Sequence, residues 1–186
     1  MARNADTIDY RDDYYKGPAK IYFDAVLNNI ISIGDLDKEI GLILDFGCGV
    51  GQLKKRLKEV NIVGYDIIPE LSDVKQYNNL KPDKIVLSGV LEHLSLDEIN
   101  NLLIEFQAMN PFAQLLVFLP TENFISKIAM YLAGQKNAHD DHISKYKDIN
   151  KLIEKYYFPE KRKYIFFRMS QITKYVPLEK NTQTQK

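Results

Sequence analysis

The stretch that decides the fold is Gly41-Leu-Ile-Leu-Asp-Phe-Gly-Cys-Gly-Val-Gly51. Its first half is a short apolar run ending in Asp45, which reads as a buried strand. Its second half places Gly47, Gly49 and Gly51 at alternate positions, where a backbone can turn sharply and approach a ligand closely. Downstream, Leu53, Leu57 and Val60 mark a helical face, with Lys54, Lys55, Arg56 and Lys58 opposite. Asn61-Ile-Val-Gly-Tyr-Asp66 is a second apolar strand ending in an acid, and Lys84-Ile-Val-Leu-Ser88 is a third. Ser95-Leu-Asp-Glu98 is a capping box for a helix that buries Ile99, Leu102, Leu103 and Phe106. Gln114-Leu-Leu-Val-Phe-Leu-Pro120 is a further strand, and Thr121 is placed to cap a helix running to about Gly134. The strands are continuously apolar rather than alternating, so both faces of their sheet are covered. That is a doubly wound, Rossmann-like α/β sheet, mostly parallel.

Upstream, Pro18 suits the first turn of a helix. Phe23, Val26, Leu27 and Ile30 give that helix one apolar face, and Gly34 ends it. After residue 143 the pattern changes. Asp148 to Tyr157 reads as a helix with Ile149, Leu152, Ile153 and Tyr156 inward. Residues 163–168 and 172–176 read as strands too close in sequence for a crossover, hence an antiparallel pair. The expected organisation is an N-terminal arm over 1–17, one domain over 18–178, and a disordered polar tail over 179–186.

The 186 residues suit one domain, with 45% hydrophobic and 27% charged residues. Twenty-five basic against 25 acidic residues give no global attraction for nucleic acid or anionic membrane. There is no basic patch interleaved with aromatics. The single cysteine, Cys48, forbids an internal disulfide and a cysteine-cluster metal site. It reads as a loop filler rather than a nucleophile. The polar N-terminus and the lack of an 18-residue apolar run predict a cytoplasmic protein without a membrane span.

Ligands of such sheets bind beyond the carboxyl ends of the strands. There the glycine loop, Asp66 and the Ser88–His93 turn converge. A dinucleotide pocket wants G-x-G-x-x-G, but the spacing here is G-x-G-x-G, with Gln52 at the third glycine's place. Asp45 would also repel a pyrophosphate. This argues against a nicotinamide oxidoreductase. A carboxylate before the loop suits an amino group, and Asp66, 19 residues past Gly47, suits a ribose diol. S-adenosylmethionine, a nucleoside with an amino-acid tail, meets both conditions.

Leu42–Gly51 resembles the first motif of the class I S-adenosylmethionine-dependent methyltransferases. Asn61–Asp66 resembles their ribose-binding strand. Ile85-Val-Leu-Ser-Gly-Val-Leu-Glu-His-Leu94 is similar to the strand and turn of the ubiquinone-biosynthesis-like branch. The resemblance implies a seven-stranded sheet whose last pair is antiparallel. It implies that Asp45, Gly47, Gly49 and Gly51 hold the methionine part, Asp66 the ribose, and Ile67 the adenine face. Ser88, Gly89 and Val90 then line the strand end near the sulfonium. Residues 67–83 are shorter than the family's usual helix, strand and adenine-contacting loop. The third strand is therefore expected to be short or missing, with Asp73 as the candidate for reading the adenine amino group.

Glu92 and His93 read as turn stabilisers, with His93 an alternative base. His139-Asp-Asp-His142 follows the fifth strand of the family's order and its helix, where the resemblance implies the acceptor-facing surface; a neutral histidine there can take a hydroxyl proton. As a metal site it lacks further ligands, so no metal is expected. Tyr10, Tyr14 and Tyr15 form either a lid or a surface arm. The expected activity is methyl transfer to a small-molecule or glycan-like acceptor. The alternative is a non-catalytic binder of S-adenosylmethionine or S-adenosylhomocysteine with the same fold.

Overall fold

The computed structural model describes residues 17–121 and 143–178. The tyrosine-bearing arm, the helix expected after Thr121, the His139–His142 segment and the polar tail lie outside the described residues.

Helix α1 (Gly17–Gly34) buries Val26, Leu27, Ile30 and Ile33. Strand β1 (Ile43–Phe46) leads through the glycine loop to a five-residue helix, α2 (Gln52–Arg56). Then come β2 (Ile62–Tyr65), β3 (Lys84–Ser88), α3 (Leu96–Met109) and β4 (Gln114–Pro120). Helix α4 (Tyr146–Ile153) precedes the hairpin of β5 (Tyr157–Ile165) and β6 (Ser170–Pro177). The described strands form one sheet in the order β2-β1-β3-β4-β6-β5. The first four are parallel, and β6 runs antiparallel to both β4 and β5.

Successive strand residues point to opposite faces, and the core divides accordingly. Leu44, Ile85, Leu87, Leu115 and Val117 meet α3 and α4 on one face. Ile43, Ile62, Val86, Leu116 and Phe118 meet α1 and Leu53 of α2 on the other. The expected capping box is present, with Ser95 and Glu98 bonded reciprocally at the start of α3. Lys84 opens β3 as a buried lysine. Its Nζ donates to the Gly34 carbonyl at 2.6 Å and pairs with Glu39 at 2.7 Å. It thereby satisfies the end of α1 and holds the Glu39 carboxyl below its ordinary range.

One expectation holds and two are corrected. First, the third strand, expected to be short or missing, is missing among the described residues: the sheet has six described strands, and residues 67–83 form only a short 3-10 turn, Pro69–Leu71, and loops. Two devices stand in for the missing strand. The Gly64 N–H donates to the Asp73 carboxylate at 2.7 Å, and the Gly64 carbonyl accepts from the Asp73 N–H at 2.9 Å. On the other face Tyr77 stacks into Phe46 and Tyr65, at ring separations of 4.9 and 4.6 Å. Secondly, α4 spans Tyr146–Ile153 rather than 148–157, and Tyr157 already belongs to β5. Thirdly, the hairpin turn occupies residues 166–169, where a strand end was expected. Phe166, Phe167 and Arg168 all have positive φ, of 49, 52 and 65°. Three consecutive bulky residues in the left-handed region is an unusual backbone.

Candidate functional site

The strand register brings the site together. Phe46 of β1 pairs with Tyr65 of β2 and with Leu87 of β3. The next residue of each strand, Gly47, Asp66 and Ser88, therefore stands at the same carboxyl edge. The glycine loop is held from both sides. The Gly47 and Cys48 N–H groups donate to the Tyr65 carbonyl at 2.7 and 3.1 Å. The Gly49 N–H donates to Asp66 Oδ2 at 2.9 Å, and the Ile68 N–H to Oδ1 at 3.0 Å. Ser72 supports the same turn by accepting from the Asp66 N–H at 3.2 Å.

The glycines divide into two kinds. At Gly47, with φ +76°, an added Cβ would stand 2.3 Å from Val90 Cγ2, so this glycine packs the loop against the β3 turn. At Gly49 and Gly51, with φ +50 and +70°, an added Cβ would meet nothing within 4 Å. Their left-handed backbone instead borders open space. Gly47→Ala is expected to destabilise the fold by ~2 kcal/mol through strain and the Val90 clash. Urea unfolding of the variant measures this, and an unchanged midpoint would show that the turn yields without loss.

A cleft of about 490 Å³ opens beside the loop. It is lined by Asp45, Cys48 to Gly51, Lys54, Lys55 and Gly64, and by Glu70, Leu71 and Asp73. Asp66, Ile67 and Ser88 to Val90 do not line this cleft; they stand at the loop's other contacts and at the strand ends. Ile67 is 86% exposed, leaving an apolar surface for a ligand to cover. Val90 opens a 3-10 turn over Leu91–His93, and His93 is exposed at its end, outside the cleft. Asp73, the adenine candidate, is engaged differently. One carboxylate oxygen takes both the Gly64 N–H and Lys54 Nζ, the latter at 2.9 Å, making it an edge clamp. Sequence reading missed this role, and also missed Lys54, Lys55, Glu70 and Leu71 as wall residues. These become neighbours only when the missing strand lets residues 69–73 fold back on α2.

Asp45 is the electrostatic centre. It is 6% exposed, and its carboxyl is pushed up to about 7, mainly by burial and then by the charges of Asp66 and Asp73. A carboxylate so placed gains most from a cation that enters beside it. The same burial and the three neighbouring acids push the Cys48 thiol up to about 12. It is therefore an inert loop residue at neutral pH. Among the described residues no group of three His, Cys, Asp or Glu side chains is arranged to hold a metal. No helix of the described residues is long and apolar enough to cross a membrane.

The residues present fit S-adenosylmethionine. The open backbone at Gly49 and Gly51 leaves a cradle, Asp45 offers an acceptor for an ammonium, and Asp66 adds a second carboxylate at the same strand edge, across the loop. Comparison with known proteins agrees. No curated protein matches the chain in sequence. Among solved structures, the PH0226 protein from Pyrococcus horikoshii OT3 aligns with a TM-score of 0.66 at 15% identity, over 89% of this chain and 94% of that one. Magnesium protoporphyrin IX methyltransferase (ChlM) from Synechocystis PCC 6803 with bound SAM gives 0.63 at 17% identity, covering 94% and 93%. The N-methyltransferase NodS from Bradyrhizobium japonicum WM9, in complex with S-adenosyl-L-homocysteine, gives 0.64 at 12% identity, covering 93% and 94%. The family model described as "Methyltransferase domain" matches residues 20–168. The chain thus belongs to the methyltransferase-domain family and has the class I S-adenosylmethionine-dependent methyltransferase fold.

Proposed function

We propose that the protein transfers a methyl group from S-adenosylmethionine to a small-molecule or glycan-like acceptor in the cytoplasm. The observation that carries this reading is Asp45, a nearly inaccessible carboxylate beneath an open glycine loop whose middle N–H is held by Asp66. The structural neighbours named as methyltransferases, with SAM or S-adenosyl-L-homocysteine bound, support the same donor.

In this reading Asp45 accepts the ligand's ammonium, and the loop backbone at Gly47, Gly49 and Gly51 lies along its amino-acid tail. Asp66 accepts the ribose hydroxyls and Ile67 covers one face of the adenine. Ser88, Gly89 and Val90 border the reacting end. When bound, the donor supplies a sulfonium-activated methyl group. The chain's residues then mainly align the acceptor and exclude water.

S-adenosylhomocysteine at ~100 times its dissociation constant is expected to stabilise the fold by ~2.7 kcal/mol. A thermal-shift titration measures this, and no shift at millimolar ligand would sink the reading. The strandless segment 67–83 favours a second reading, a non-catalytic binder of the same cofactor. Transfer of a labelled methyl group to components of a cell extract separates the two.

A further inference from the structure

On the acceptor side of the strand ends stands a carboxylate the methyl-transfer reading has not used. Glu92 follows β3 in the turn that begins at Ser88, yet it is 5% exposed. Its side chain folds back over the strand end, so that the Cβ Gly89 lacks would stand 3.8 Å from Glu92 Oε1. No side chain of Gly89 intervenes between this carboxylate and the backbone proposed to border the reacting methyl. The Glu92 carbonyl also fixes the chain entering α4, accepting from the Ile143 and Ser144 N–H groups at 2.8 and 3.3 Å.

Tyr22 of α1 lies within reach of the Glu92 charge. The Tyr22 hydroxyl is bonded to Ser170 Oγ, and Ser170 is the register partner of Pro120, the last residue of β4. Burial first, and then the Glu92 charge, holds the Tyr22 phenol above its ordinary range, so it stays a neutral group. The Tyr22 ring packs on Phe23 and on Phe166, at 5.1 and 4.9 Å. The strained hairpin turn holds Phe166 there, beside the carboxyl end of β4. The ends of β3, β4 and β6 therefore carry one buried carboxylate and a cluster of aromatic rings. Ring faces and a carboxylate both attract a cation, and both disfavour an anion. Neither histidine of the 139–142 segment lies among the described residues, and His93 is exposed.

We propose that Glu92 is the acceptor-side carboxylate and that the acceptor presents a protonated amine, an assignment that rests on the methyl-transfer reading above. An ammonium nitrogen has no free lone pair. One of its protons passes to a Glu92 oxygen, and the freed lone pair forms the N–C bond. The C–S bond breaks as this bond forms, its electrons staying on sulfur. The methylated nitrogen keeps the positive charge, and Glu92 releases its proton to water afterwards.

An isosteric trio tests this with the full chain saturated with S-adenosylhomocysteine. Benzylamine, benzyl alcohol and benzoate, each at millimolar concentration, are followed by ligand-observed NMR. Benzylamine should be retained at least tenfold more tightly than benzoate, with benzyl alcohol between them. Glu92→Gln should erase that order while leaving the melting temperature and the S-adenosylhomocysteine affinity unchanged. With labelled donor, the same variant should lower turnover on amines by ~10²–10⁴. The proposal is overturned if the parent retains no benzylamine, or retains benzoate or benzyl alcohol equally well. It is also overturned if Glu92→Gln lowers melting temperature and cofactor affinity together, since Glu92 would then be a turn stabiliser. Failure of the parent to bind S-adenosylhomocysteine would strike the methyl-transfer reading instead.

Discussion

Asp45→Asn is expected to make the fold more stable above pH 7 and to weaken cofactor binding in the same pH range. In the native chain the Asp45 carboxyl is raised from 3.8 to about 7. The folded state therefore holds a proton that the unfolded chain releases. Stability contributed by this group is full below about pH 4, declines as pH rises, and is gone above about pH 7. The whole span is on the order of 4 kcal/mol, taking 1.36 kcal/mol per pH unit. Asparagine has the same shape and no charge to desolvate, so its stability should be nearly flat over this range. Denaturation at pH 5 and pH 8 measures the crossing. A native chain equally stable at both would mean that Asp45 is ionised throughout. Binding should run the opposite way. A ligand ammonium beside Asp45 favours the ionised form, so the native protein must lose a proton to bind near pH 6. Its affinity should rise as much as tenfold per unit up to about pH 7 and then level off. The asparagine variant should bind weakly with no such slope. The destabilising charge would then be the same group that draws the cofactor in.

Why some of this was readable in the sequence and some was not follows from where each element lies. Strands β1 to β4 are covered on both faces, so each shows as an apolar run, and β3 and β4 match the expected ends to the residue. Strand β5 is at the edge and mostly faces solvent. Its Pro159-Glu-Lys-Arg162 run carries a bulge between Pro159 and Lys161 and shows no period of two. Only its apolar end was visible, so it was read six residues short. That Gly47, Asp66 and Ser88 gather at one edge was legible because they follow directly on strand ends, which a parallel sheet aligns. The neighbourhood of Glu92 was not. Tyr22, 70 residues earlier, comes within reach of the Glu92 charge only because α1 covers the far face of the sheet and β6 returns beside β4. Asp73 looked like a ligand reader because residues 67–83 were compared with a longer loop. With the strand absent, the open Gly64 N–H needs a partner, and the nearest carboxylate takes it.

Asp66→Ala is expected to weaken S-adenosylhomocysteine binding by ~10²–10⁴. Two charge-assisted bonds to a ribose diol, each worth ~1.5–3 kcal/mol, set that range. The sequence alone suggests little effect on the fold, but the structure adds one. The same carboxylate accepts the Gly49 and Ile68 N–H groups, so its removal loosens the loop and the following turn. Both bonds are partly wet, which limits the stability loss to ~1–2 kcal/mol, well below the loss in binding. Asp66→Asn separates the two roles. Its amide oxygen can keep one loop bond, but the charge that strengthens both ribose bonds is gone. It should therefore recover most of the stability and little of the affinity. Calorimetric titration and urea unfolding on the same samples give both quantities. If Asp66→Ala binds S-adenosylhomocysteine as tightly as the native chain, the ribose is held elsewhere. A further readout does not need the ligand at all. The Asp66 charge is one of the causes that raise Asp45. Removing it should lower the Asp45 value, so the fall in stability with rising pH should still begin near pH 4 but end at lower pH and be smaller. That displacement, measured without cofactor, would show that the two acids share one field across the mouth of the loop.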